Sequence, residues 1–285
     1  MKLVITGATG NLGGLVIDHL LKKIPGSKII AVVRKLDKAA SLTEAGLEVR
    51  QGDYNDPGTL RAAFEGGTKL LFVSSPDTDD SLRIVQHANV ITAARDAGIR
   101  HIAYTSFAFA EENPFALVHM ATEYAIRATR IPYTFLRNGG YAEFFINDHL
   151  QANVERGAIV TNTGTGRVNA VSRSDLALAA ATVLTGEGHE NKEYTLVSDR
   201  PWSFDELAEV LSEVSGKHII HQKVSFDEEK AMLVQAGLSE SLAHTTAFIY
   251  NTIAEGTMEK TTDDLHQLIG HQTTLKELVT KVLHA

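Results

Sequence analysis

The chain contains no cysteine in its 285 residues. It therefore has no disulfide frame, no thiolate nucleophile and no cysteine-based metal site, and a cytoplasmic setting suits that absence. Positive charge is in short supply: 27 Lys and Arg against 35 Asp and Glu give a formal charge of −8. Nucleic acid is not an expected partner, because phosphate contacts need a basic surface. The acidity is compatible with a cationic substrate but is too common a property to identify one. No apolar run reaches the ~18 residues that span a bilayer, and no charged-then-apolar leader precedes the first strand, so no membrane partner is expected. Repeats, low-complexity tracts and Pro/Gly/Ser-rich linkers are also missing. The histidines are scattered without ligand spacing. His119 and Glu123 stand one helical turn apart, but no third ligand accompanies them, so no metal is expected.

What the chain does have begins almost at its first residue. Val4-Ile5-Thr6-Gly7-Ala8-Thr9-Gly10-Asn11-Leu12-Gly13 sets three glycines at G-x-x-G-x-x-G spacing between a strand-like and a helix-like run. The common dinucleotide-binding form is G-x-G-x-x-G, one residue shorter in the first gap. Glycines alone often mark only a turn. Here strand, turn and helix come in the order a pyrophosphate site needs, with unpaired N–H groups and the positive end of a helix dipole facing the anion. The next apolar run, 28–33, reads as a parallel strand buried on both faces and ends at Arg34. An NAD site places a carboxylate near this point, whereas a 2′-phosphate calls for arginine. The first acid is Asp37, so Arg34 argues for NADPH over NADH; the alternative is a solvated basic residue at a strand end.

Apolar runs alternate with helix-period segments through the first half. Strands are expected at 2–6, 28–33, 47–51, 69–73, 101–105 and 132–136, and helices at 11–23, 37–45, 57–64, 81–97 and 114–129. This rhythm predicts an α/β fold: a Rossmann-type, doubly wound parallel sheet with helices on both faces. Gly98 is placed to end the helix at 81–97. Beyond about residue 140 the rhythm weakens. Ser203-Phe204-Asp205-Glu206 reads as a capping box that opens a helix running to about Gly216. Further strands are expected at 157–161, 167–171, 192–197 and 218–222, and helices near 174–185, 226–236, 239–254 and 273–283. The expected domains are 1–140, binding NADP(H), and 141–285, a smaller α+β substrate lobe parts of which may rejoin the first.

Several segments together resemble the NmrA-like atypical short-chain dehydrogenases. They are Thr6 through Gly13, Val33-Arg34, Gly52-Asp53-Tyr54, His101-Ile102-Ala103-Tyr104-Thr105-Ser106 and Ile131-Pro132-Tyr133-Thr134-Phe135-Leu136-Arg137-Asn138. Within that family the likeness is greatest to members that reduce triphenylmethane dyes, with quinone reducers next. It extends through His119-Met120-Ala121-Thr122-Glu123-Tyr124-Ala125-Ile126-Arg127, Gly188 to Lys192 and Pro201 to Leu207. The resemblance implies NADPH as cofactor and hydride transfer to a flat, conjugated acceptor. Carried over, Gly7, Thr9, Gly10, Asn11 and Leu12 would hold the pyrophosphate and Arg34 the 2′-phosphate. Ser74 and Ser75 would border the nicotinamide ribose, with a solvated turn before Pro76 as the alternative. The loop Asn138-Gly139-Gly140-Tyr141-Ala142-Glu143 would close over the nicotinamide half, with Asn138, Tyr141 and Glu143 as contacts. Asp53 could accept from the adenine amino group, although Gly-Asp before a helix is also a plain turn.

The usual Tyr-x-x-x-Lys dyad of short-chain dehydrogenases is absent: none of the seven tyrosines has a lysine four residues on. Without that acid, reduction of aldehydes or ketones to alcohols is not expected. A dye carbocation needs none, since hydride uptake neutralises it, and water can protonate a delocalised hydroquinone anion. His119 and Tyr141 are the candidate catalytic residues. His119 falls where related isoflavone-reductase-like enzymes carry a lysine, and its ordinary pKa of about 6.5 suits proton donation. A partly buried, backbone-bonded histidine is the alternative. Phe107, Phe109, Tyr141, Phe144, Phe145 and Trp202 are candidates to wall a flat substrate's pocket, or they are core. The expected function is an NADPH-dependent reductase of triphenylmethane dyes, with a quinone reductase and a non-catalytic NADP(H) sensor as alternatives. The expected partner is a small aromatic or quinonoid substrate, with a homodimer as the candidate assembly.

Overall fold

A computed structural model describes residues 1–113 and 116–284. The chain forms two compact units: Met1–Gly139 with Arg173–Leu196 and Asp264–Gly270, and Gly140–Ser172 with Val197–Asp263 and His271–Ala285.

The first unit is built on seven strands: β1 (Leu3–Ile5), β2 (Ile29–Val33), β3 (Glu48–Gln51), β4 (Lys69–Phe72), β5 (His101–Phe107), β6 (Tyr133–Asn138) and β11 (Lys192–Leu196). Their order is β11-β6-β5-β4-β1-β2-β3, and every neighbouring pair is parallel. The chain lays β1 to β3 outward in one direction and then returns to start β4 on the other side of β1. The carboxyl ends of β1 and β4 therefore flank the topological switch point, where open α/β sheets bind ligands.

Alternation along the strands explains why both faces are apolar. Val4, Ile30, Val32, Leu70, Phe72, Ile102, Tyr104 and Phe135 join Leu60, Phe64, Val90, Ala94 and Ile126 in one core. The last five come from α3 (Pro57–Phe64), α4 (Asp80–Asp96) and α5 (Leu117–Ala128). The intervening Leu3, Ile5, Ile29, Ala31 and Leu71 are equally buried. On this side α1 (Asn11–Leu21) packs on α7 (Arg173–Thr185), which also meets β4, β5 and β6. The expected helix at 37–45 divides into a 3-10 turn, Leu36–Lys38, and α2 (Ala40–Glu44). The helix expected over 114–129 runs from Leu117 to Ala128, with Ala116 as its N-cap, and residues 114 and 115 lie outside the described residues. Gly98 closes α4 at φ 73°. The short α11 (Asp264–Ile269) packs on α7 and β11.

The second unit holds three two-stranded pairings. β7 (Gly140–Tyr141) runs parallel to β10 (Ala170–Val171). β9 (Arg167–Val168) is antiparallel to β12 (Trp202–Ser203), and β8 (Ala158–Thr161) is parallel to β13 (Ile220–Lys223). The single strand expected at 167–171 is interrupted at Asn169. Its amide donates to the carbonyls of Ser198 (2.7 Å) and Lys260 (2.8 Å) and accepts from Ser198 N (2.7 Å). The helices are α6 (Leu150–Arg156), α8 (Phe204–Ser215), α9 (Phe226–Gln235), α10 (Glu240–Ala254) and α12 (Leu275–Leu283). The capping box at Ser203 and Glu206 is formed, and Gly216 ends α8 in the left-handed conformation. Phe145, Trp202 and Phe204 interlock in this unit's core, with Tyr250 stacked on Phe145. Phe145 and Trp202 are buried in this core, and Phe144 is exposed.

Candidate active site

The strand-to-helix turn after β1 is shaped by two glycines. Gly7 has φ 61°, a backbone conformation that side chains disfavour. A Cβ on Gly13 would stand 2.2 Å from the Gly7 carbonyl oxygen, so α1 can approach the turn only with glycine there. Gly10 caps α1, and no side chain caps the helix, so its first N–H groups are left for an anion. Thr9, Gly10 and Asn11 are exposed on this turn, whereas the Leu12 side chain is core; Leu12 can offer a ligand only its backbone. Thr6 ties β1 to β4, donating to Leu71 O (3.1 Å) and accepting from Val73 N (3.0 Å). The Tyr54 hydroxyl lies 2.6 Å from Thr6 Oγ1 and 2.7 Å from Val73 O, and its burial raises its pKa. It braces the floor of the turn.

Arg34 is exposed just beyond β2, and no carboxylate pairs with it among the described residues. Its backbone carbonyl accepts from Gln51 Nε2 at 3.3 Å. Asp53 closes an Asx turn: Oδ1 accepts from Asn55 N (2.9 Å) and Asn55 Nδ2 (3.2 Å). One carboxylate oxygen is thus engaged in the turn itself.

A connected polar cluster fills the carboxyl end of β4 and β5. The buried Ser75 donates its N–H to His87 Nε2 (3.0 Å) and its hydroxyl to Gln86 Oε1. Since His87 Nε2 accepts, its Nδ1 carries the proton and donates to Thr122 Oγ1 (2.7 Å), which donates to Val118 O (2.7 Å). Burial, reinforced by Arg83, pushes His87 down to about 3. Ser74 donates its N–H to Thr105 Oγ1 (2.9 Å) and accepts from Arg83 Nη2 (3.3 Å). The same Nη2 lies 3.2 Å from His119 Nε2. A guanidinium only donates, so His119 Nε2 accepts and its Nδ1–H donates to Tyr104 Oη (2.9 Å). Burial, and then the Arg83 charge, lower His119 to about 4. At neutral pH it is an uncharged imidazole with both nitrogens engaged. Burial also raises the Tyr104 phenol, opposed by the Thr122 and Ser74 hydroxyls.

Glu123, one turn beyond His119, takes part in an ion-pair network. Arg137 grips it through Nε (3.0 Å) and Nη2 (2.7 Å), and Ser106 Oγ donates to it at 2.6 Å. Asn138, at the end of β6, is buried, and its Oδ1 has no hydrogen-bond partner among the described residues. A buried, unmatched acceptor is costly, and a ligand donor would resolve it. Tyr141 and Glu143 belong to the second unit. Tyr141 is half-buried in β7 opposite Val171. Glu143 sits in the 3-10 turn Ala142–Phe144, and its carbonyl accepts from Asn147 Nδ2 at 3.3 Å.

The first unit thus brings together Gly7, Thr9, Gly10 and Asn11 on one turn, and Ser74, Ser75 and His119 in one cluster. Arg83 carries no signal in the sequence, and Tyr54, Tyr104 and Thr122 enter there only within the segments that carry the family resemblance. Arg83 and His119 are 36 residues apart, and no spacing rule links them. The helix without a side-chain cap, the glycine-shaped turn and the unmatched Asn138 oxygen fit a dinucleotide carrying phosphates and an amide. Among the described residues no group of three or more His, Asp or Glu side chains could hold a metal, and no helix is long and apolar enough to cross a membrane.

These features define a Rossmann-type dinucleotide-binding protein, and residues 1–279 match the model of the NmrA-like family. The chain belongs to that family. It is 61% identical to Citrobacter sp. triphenylmethane reductase, with a TM-score of 0.96 and all of both chains covered. The same reductase complexed with NADP(H) gives 62% identity and a TM-score of 0.95, over 99% of this chain and 100% of that one. The chain is also 40% identical to Quinone oxidoreductase 2 of Escherichia coli (strain K12), over 95% of each. The NADPH complex of an Escherichia coli NADPH-dependent quinone oxidoreductase superposes with a TM-score of 0.91 at 39% identity, over 99% of this chain and 100% of that one.

Proposed function

We propose that this protein is an NADPH-dependent reductase that transfers hydride to a flat, conjugated acceptor, with cationic triphenylmethane dyes as the first class and quinones as the second. The likeness to a triphenylmethane reductase over the whole of both chains carries this reading. The first unit is its cofactor domain and the second its substrate lobe. Gly7 to Leu12 would hold the pyrophosphate through backbone N–H groups, Arg34 the 2′-phosphate, Asp53 the adenine edge, and Ser74, Ser75 and Asn138 the nicotinamide half. Tyr141 and Glu143 remain candidates from the family resemblance, to be tested by substitution. Bound NADPH supplies the hydride. The protein orients the reactants and excludes water, and such positioning can contribute roughly 7–11 kcal/mol. A cytoplasmic setting suits the cysteine-free chain, and light scattering of the purified protein tests the proposed homodimer.

The second class, quinones, draws its own support from the fixed cation Arg83 beside Ser74. The test is NADPH consumption with crystal violet, malachite green and 1,4-benzoquinone in parallel. NADPH loss matched by dye bleaching or quinone reduction is expected. Tight NADPH binding without consumption by any acceptor would instead identify a redox sensor.

A further inference from the structure

We infer that Arg83 sets acceptor preference: its guanidinium, fixed beside Ser74 at the carboxyl end of the sheet, favours acceptors that gain negative charge on oxygen and opposes cationic ones. The inference rests on the reductase reading above and deepens it.

The geometry leaves this charge poorly neutralised. Nη2 is shared between two neutral acceptors, Ser74 Oγ at 3.3 Å and His119 Nε2 at 3.2 Å. Nε is buried without a partner among the described residues. The one carboxylate paired with it among the described residues is Asp80, 3.2 Å from Nη1 and itself 57% exposed, so that water screens it. Arginine cannot discharge at any working pH, whereas the imidazole beside it stays neutral. The site thus holds a fixed cation in a chain that lacks the Tyr-x-x-x-Lys acid.

The two acceptor classes respond oppositely. When a quinone takes hydride, the C4–H bond of the reduced nicotinamide breaks and a bond to that hydrogen forms on the quinone. NADPH is oxidised to NADP⁺, and the two-electron-reduced quinone is a hydroquinone monoanion, which solvent protonates. Arg83 stabilises the anion as it develops. A triphenylmethane carbocation forms a C–H bond at its central carbon and becomes neutral. Arg83 repels its ground state and does nothing for its product.

The experiment compares kcat/KM for 1,4-benzoquinone and crystal violet in wild type, Arg83→Gln and Asp80→Asn. Arg83→Gln should lower the quinone value by about 10- to 100-fold and leave the dye value unchanged or higher. Asp80→Asn, a surface change that removes the screening carboxylate, should raise the quinone-to-dye ratio by about 2- to 3-fold, and it keeps the idea testable should Arg83→Gln not fold. NADPH affinity, followed by fluorescence, should stay within about 3-fold in both. A second readout needs no turnover: the His119 ring, followed by NMR in cofactor-free protein, should titrate at higher pH in Arg83→Gln. The other charged or titratable groups around that ring are Asp80 and His87 of α4, Tyr104 of β5 and Glu123 of α5. Equal changes with both acceptors, or an unmoved His119 titration, would overturn the assignment. A wild type that consumes NADPH with neither acceptor would overturn the reductase reading itself, which turnover with an unaltered ratio in the variants would not.

Discussion

Two residues carry the chemistry that separates this site from close alternatives, and each makes a distinct prediction. Arg34 stands exposed at the tip of β2 with no carboxylate paired to it among the described residues. A charge-assisted contact to a 2′-phosphate is worth about 1.5–3 kcal/mol. Arg34→Ala should therefore weaken NADPH roughly 10-fold or more while leaving NADH nearly unchanged; titration with both cofactors checks it, and equal losses would make Arg34 structural. His119 is where the sequence and the geometry diverge. Its position suggested a proton donor near its ordinary pKa. Burial beside Arg83 lowers that pKa to about 4 and occupies Nε2. Sequence could identify His119 as a candidate, but the cation 36 residues away was not legible, because only the packing of α4 against α5 brings them together. The quinone kcat/KM should accordingly show no inflection near pH 6.5. An inflection there that His119→Ala abolishes would restore the proton-donor role.

At the scale of elements, legibility followed length and local signal. α3, with Asp56 capping and Pro57 at its first position, matches the expected 57–64, and the Ser203 box opened α8 where expected. α6 and α11, of seven and six residues, were not foreseen. Helices that short are held by tertiary contacts rather than by propensity, and β7 and β12 are two-residue pairings with no periodicity to read. The glycine turn shows how one motif divides into two physical roles. A side chain at Gly13 meets the Gly7 carbonyl oxygen at 2.2 Å, whereas one at Gly10 meets it at 3.1 Å. Gly13→Ala should cost stability, on the order of the 1–3 kcal/mol of an overpacked site. Gly10→Val should fold and lose NADPH, because its side chain fills the phosphate approach. Urea unfolding and NADPH titration on both variants test the division. Normal NADPH binding by Gly10→Val would mean that the anion sits elsewhere.

At the scale of the whole molecule, composition and rhythm led to an expected division at about residue 140, and nothing in the sequence marks 173–196 and 264–270 as segments of the first unit. Such returns are set by which apolar faces remain uncovered, as α7 covers the sheet face carrying Leu3 and Leu71. The two units also differ in how protons act on them. The first buries three imidazoles as neutral bases: His87, lowered to about 3, and His101 and His119, lowered to about 4, all chiefly by burial. Between pH 6.5 and about 4 the unfolded chain binds protons that these folded sites refuse, so stability falls with acid. The second unit buries Glu229, which burial raises to about 7 while its carboxyl oxygen accepts from Asn162 N–H. Here the sign reverses. From pH 4.5 to about 7 the folded protein keeps a proton that the unfolded chain releases, so stability from this group is fullest in acid and is lost as pH rises. Glu229→Gln keeps an acceptor for Asn162 and removes the titration. The variant should melt close to wild type at pH 5 and a few degrees above it at pH 8. Thermal scans of both proteins across that range test this: a gap that stays constant or narrows with rising pH would mean that Glu229 is ionised in the folded protein at neutral pH.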